Sequence, residues 1–145
     1  MFSQRLRLLL IDYFDPIAKK QVEAVMEPIL EKNTDPNSSE LFANMSFQMN
    51  KTLPRDINSE TILHTTIPGP GKKMTYVYFY KNIASNQVDP DEFAKQMRQA
   101  LIDHLCGNQK IVLLLKTGGK TCHQYNGSDK KLITEICLSI ADCNN

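Results

Sequence analysis

Tryptophan is absent from this chain, glycine occurs only 6 times, and neither sign of charge dominates. Each shortage excludes something. With 17 Lys+Arg against 16 Asp+Glu the net charge is +1, so no global field draws the protein to nucleic acid or to an anionic membrane. No segment approaches the ~20 apolar residues that span a bilayer. No C-x-x-C occurs among the four cysteines, which excludes a zinc ribbon or a thioredoxin-type site by spacing. G-x-S-x-G is missing as well, and TGGKT lacks the spacing of a phosphate-binding loop.

What is present suits one ordinary globular domain. The 145 residues are 41% hydrophobic and 23% charged, enough apolar surface for a real core and too much for wholesale disorder. The start places Arg5 and Arg7 ahead of Leu8–Ile11, but Asp12 ends that run before it reaches the ~7–15 residues of a signal peptide. As read here, the chain carries no export signal.

Periodicity predicts helices first. Leu6, Leu9, Leu10 and Phe14 line one short helix, and a second follows Asp15-Pro16 with Ile17, Val22, Val25, Met26, Ile29 and Leu30. The polar stretch NTDPNSSE is the best boundary, giving a helical extension over 1–37 and an α+β domain over 38–145. Leu41, Phe42, Met45 and Met49 mark a further helix begun at Ser38 or Ser39. β-Branched and aromatic residues then predict a hairpin, ETILHTTI and KMTYVYFYK joined by PGPGK. The strongest helix is DPDEFAKQMRQALIDHLC, with Asp89 as cap, Pro90 in the first turn and Gly107 as a left-handed stop. QKIVLLLK is ambiguous between strand and helix. GKTCHQY and KKLITEICLSI form a second hairpin across NGSD. The expected fold is therefore N-terminal helices followed by a β-β-α-β-β unit, with a mainly antiparallel sheet of about four strands packed on one helix.

Candidate chemistry is thin. His104, Cys106, Cys122 and His123 have the atom types of a zinc site, but His104 and Cys106 are two apart on a helix and point away from each other. Gly118-Gly119 suits a plain turn better than an anion nest, and Asp89, Asp91 and Glu92 are explained as helix-end charges. No catalytic residue, cofactor-binding residue or metal ligand is assigned, and no cofactor is expected. Tyr76, Tyr78 and Tyr80 share one strand face, which suits core packing or a face for a protein partner; base stacking would want interleaved Lys or Arg. If Tyr125 faces Leu132, then Cys122 and Cys137 are diagonal across the second hairpin, near or beyond bridging distance. Cys106 and Cys143 are freer to meet. The residues alone leave open a Cys106–Cys143 staple and four reduced thiols.

The stretch LPRDINSETILHTTIPGPGKKMTYVYFYKN resembles a pattern found in small uncharacterised bacterial envelope proteins. The resemblance runs over about residues 53–143, on Leu53, Pro54, Thr61, Leu63, Tyr76, Tyr78, Cys106, Gly119, Tyr125, Ile133 and Cys143. Such proteins follow a signal peptide, lipoprotein signal or membrane anchor. The resemblance implies a periplasmic or envelope location and Cys106–Cys143 as a natural pair. The start and the additional Cys122 and Cys137 depart from the pattern, leaving the cytoplasm as the alternative location. The expected function is a non-enzymatic, envelope-associated module that binds a protein through its sheet or its N-terminal helices. The alternatives are an inhibitor or immunity-type protein and, third, a small enzyme. Neither nucleic acid nor a membrane span is expected, and the oligomeric state is left open.

Overall fold

The computed structural model describes residues 39–144, so the helical extension expected over 1–37 lies outside the described residues. The chain runs α1 (Ser39–Asn50), β1 (Arg55–Asp56), β2 (Thr61–Pro68), β3 (Lys73–Tyr80), a 3-10 turn (Ser85–Gln87), α2 (Pro90–Leu105), α3 (Gln109–Lys116), β4 (Lys120–Asn126), β5 (Leu132–Leu138) and α4 (Ile140–Cys143). This is an α+β fold with a mainly antiparallel sheet in the order β1-β2-β3-β4-β5. The β2–β3 and β4–β5 hairpins are both antiparallel, and β3 pairs with β4 in parallel. Parallel neighbours need a long crossover, and α2 with α3 supplies it.

Two details extend the sequence reading. The QKIVLLLK run is helix α3, burying Ile111, Leu114 and Leu115. The sheet also gains a fifth strand, the two-residue β1, which is too short to leave an alternating pattern.

α1 forms where its apolar spacing predicts, and Leu41, Phe42, Met45 and Met49 are all buried. It packs on β2 and β3, while α2 packs on β5. In α2 the Asp89 carboxylate accepts from the amides of Asp91 and Glu92, and Pro90 follows in the first turn. Phe93, Met97 and Leu101 are its buried stripe. Its end differs from expectation. Cys106 closes the helix in right-handed geometry, and Gly107 is not at positive φ. A side chain on Gly107 would instead stand 3.2 Å from the Asp103 carbonyl, so close approach explains that glycine. Gly118, at φ +91, does adopt the left-handed turn. A Cβ on Gly119 would meet the Phe42 ring at 2.5 Å, which explains the glycine pair without an anion.

β1 pairs with β2 only at Leu63 and Ile62, leaving the far half of that edge without a strand partner among the described residues. The end of α1 covers it. The Asn50 side-chain amide accepts from the Thr66 amide at 2.9 Å and donates to the Thr66 carbonyl at 3.0 Å, as a neighbouring strand would. Ser46 Oγ adds a buried hydroxyl contact to Thr66 Oγ1 at 2.7 Å. A side chain thus occupies an edge that otherwise invites another chain.

Asn50→Ala removes both backbone bonds at once. We expect it to lower stability by about 1–3 kcal/mol, the cost of leaving such groups unsatisfied, read as a lower urea midpoint at unchanged slope. An unaltered midpoint would show that Asn50 does not hold the edge.

Candidate functional site

Strand β3 is buried along most of its length. Tyr76, Tyr78 and Tyr80 are buried at 8%, 6% and 2% exposure, so the interaction face expected of this row lies inside the core. The parallel register explains why: Tyr76 lies beside His123 and Tyr78 beside Tyr125. The rings stack with centroids 5.0 Å apart in both pairs, and Phe93 of α2 meets Tyr80 and Tyr125 edge-on. Burial pushes the Tyr76 phenol up to about 12 and raises Tyr80 further, with the neighbouring Tyr78 adding to the Tyr80 shift. It drives His123 down to about 3, so the imidazole is neutral, with Nδ1 3.5 Å from the Tyr78 hydroxyl.

The remaining members of the sequence-derived zinc set are not brought together. Cys106 is bonded to Cys143 with Cα atoms 5.3 Å apart, tying the end of α2 to α4. Arg98 reinforces the same junction, donating to Asp142 at 2.5 Å and to the Cys137 carbonyl at 3.3 Å. Cys122 is bonded to Cys137, contrary to the diagonal placement expected from the turn. The cause is twofold. Leu132 pairs with Asn126 instead of Tyr125, and a bulge then slips the register so that Tyr125 pairs with Thr134 and Cys122 lies directly opposite Cys137. The same slip leaves Leu132 57% exposed and buries Ile133. No cysteine is free.

The other face of the β2–β3 hairpin carries a cleft of about 600 Å³. Ile62 and Phe79 are register partners and make its floor, with Pro54 beside them. A second bulge, between Leu63 and Thr65, leaves His64 as an extra residue whose ring packs edge-on against Phe79 at 5.3 Å. On one rim Lys81 pairs with Asp56 at 2.7 Å. The β4–β5 turn, Gly127–Lys131, forms the opposite wall and contributes Lys130.

That turn is fastened to the segment after β3. The Ser128 amide donates to the Ile83 carbonyl at 2.8 Å. Asp129 accepts from the Ser85 hydroxyl at 2.6 Å and from its amide at 3.2 Å, and these bonds hold its carboxyl below the usual range. A side chain on Gly127 would collide with Ser85 and Asp129. Lys130 sits at φ 63, an uncommon conformation for a non-glycine residue. The result is an apolar-floored cleft with the Lys81–Asp56 ion pair on one side, Lys130 on the other and one imidazole.

Sequence reasoning did not assemble this cleft, because its residues come from four separated segments. Two signals were available: His64 interrupts an otherwise β-branched run, and Lys130 follows a turn motif.

No protein-family model matches the chain, and no curated protein matches it. Its fold is shared with solved structures. A Pseudomonas aeruginosa protein considered to be secreted superposes with a TM-score of 0.61 at 16% identity, covering 72% of this chain and 91% of that one. The type II secretion system pilotin AspS from Vibrio cholerae gives 0.56 at 17% identity, covering 72% and 91%. The type 2 secretion pilotin EpsS from Vibrio vulnificus gives 0.59 at 12% identity, covering 72% and 90%. The likeness is one of fold.

Two outcomes test this anatomy. Because His123 titrates lower in the folded state than its ordinary 6.5, its contribution is complete above pH 6.5 and is lost as pH falls toward 3. The loss is up to about 1.4 kcal/mol per pH unit. His123→Phe is expected to flatten the acid side of the urea-midpoint profile between pH 6.5 and 4; an unchanged profile would place the acid sensitivity elsewhere. Replacing Cys106 and Cys143 together by serine is expected to cost about 3–4 kcal/mol in the chain-entropy account of a loop this long. A loss below about 1 kcal/mol would mean that the Arg98 junction suffices.

Proposed function

We propose that this chain is a non-enzymatic, envelope-associated interaction module that serves a protein-secretion assembly. One observation carries the reading: every cysteine is spent in a disulfide, which suits an oxidising compartment and leaves no thiol for catalysis. The resemblance over residues 53–143 and the fold shared with two type II secretion pilotins support the same location and kind of role.

The Ile62–Phe79 cleft supplies the docking site. Its floor takes an apolar side chain, and Lys130 at the opposite wall favours a flanking acidic residue. The partner is a protein segment of mixed apolar and acidic character. Specificity follows from rigidity, since both walls are hydrogen-bonded before any partner arrives.

The test is site-specific photocrosslinking in the native host. A photoreactive residue at Ile62 or His64 is expected to give one discrete protein adduct, and the same residue at Phe47, exposed on α1, is expected to give none. An adducted secretion component supports the proposal, an adducted enzyme favours the inhibitor reading, and adducts at Phe47 alone would sink the cleft. Lys130→Gly sharpens the result. It relieves a left-handed backbone that costs an ordinary residue about 1 kcal/mol, so stability is expected to hold or rise while adduct yield falls.

A further inference from the structure

The β4–β5 disulfide has a neighbour that the interaction reading leaves unused. Cys122 and Cys137 face each other across the strand pair, and Gln124 and Glu135, two residues along, form the next pair on the same face. All four side chains stand on one face. The Glu135 carboxylate is oriented by the Gln124 amide, which donates to Oε2 at 2.6 Å. Its other oxygen, Oε1, points to the Cys137 sulfur at 3.5 Å. The two sulfurs and a carboxylate oxygen lie within 4.8 Å of one another. Among the described residues this is the single grouping of three or more such ligand types.

We infer that, when the Cys122–Cys137 bond is reduced, Cys122, Cys137 and Glu135 together bind one Zn²⁺. Reduction by a dithiol moves two electrons and two protons onto the pair: the S–S bond breaks, two thiols form, and the reductant leaves as its own disulfide. Zn²⁺ then displaces both thiol protons to make two Zn–S bonds and accepts Glu135 Oε1 as third ligand, with water completing a tetrahedron. Zinc ligands at about 2.0–2.3 Å from the ion stand roughly 3.5–3.8 Å apart. Gln124 holds the carboxylate from behind, as outer-shell groups do for metal ligands. Cys137 and Glu135 are exposed and give the ion access, while Cys122 at 1% exposure closes the inner side. The same strand pair is thus locked either by a disulfide or by an ion.

The experiment is titration of the reduced and the oxidised full chain with Zn²⁺ alone, with Co²⁺ as a spectroscopic probe. The reduced chain is expected to take up one Zn²⁺ and to show thiolate-to-Co²⁺ charge transfer; the oxidised chain is expected to do neither. Cys122→Ser with Cys137→Ser, reduced, is expected to lose uptake, and Glu135→Gln to weaken it at least ~10-fold. Cys106→Ser with Cys143→Ser is expected to keep it. Should that last variant not fold, the comparison of wild type with the Cys122/Cys137 variant decides alone. Uptake that survives loss of Cys122 and Cys137, or an unchanged Glu135→Gln affinity, overturns the site. So does a reduced chain that neither binds zinc nor regains structure on its addition.

Discussion

The parallel pairing of β3 with β4 is the constraint on which the rest of this structure depends. It brings two hairpins that are distant in sequence into one sheet, and it stacks Tyr76 on His123 and Tyr78 on Tyr125. Each such contact contributes ~0.5–1.5 kcal/mol beyond the area it buries. Phe93 closes the row from α2, so the crossover helix is fixed by the ladder it makes possible. The arrangement also decides polarity. A histidine enclosed by tyrosines stays uncharged.

Legibility in the sequence followed the reach of each signal. Helices α1 and α2 and the alternation in β3 announce themselves through local periodicity, and the structure places Leu41, Met45, Phe93 and Met97 as that periodicity demands. The parallel pairing carries no local mark, because a strand's pattern is silent about which neighbour it takes. Bulges are equally silent. A turn that sets Asn126 rather than Tyr125 opposite Leu132, together with one extra residue beside it, moves Cys122 from a diagonal position to one opposite Cys137, and a bulge at His64 turns an imidazole toward Phe79. The tyrosines were legible as a row, but whether the row is covered depends on helices far away in sequence. The cleft was the least legible part, being assembled by two turns and a bulge.

The two disulfides divide the work. Cys106–Cys143 joins the layers, holding the end of α2 to the segment after β5. Cys122–Cys137 lies within the sheet and joins one strand to the next. The cleft stands at the other end of the β4–β5 hairpin, where the turn is held by Ser85 and Ile83. Its shape is therefore set by hydrogen bonds, and its position by the sheet beneath it.

The Cys106–Cys143 bond also decides how the domain bears tension. A pull transmitted through the chain beyond Cys143 meets that bond first and passes directly to the end of α2. The segment from Gly107 to Asp142, which includes β4, β5 and the wall of the cleft, is shunted out of the line of force. Strand β5 is not peeled from the sheet from that direction while the bond is intact, so a domain pulled there would keep its cleft in shape under load.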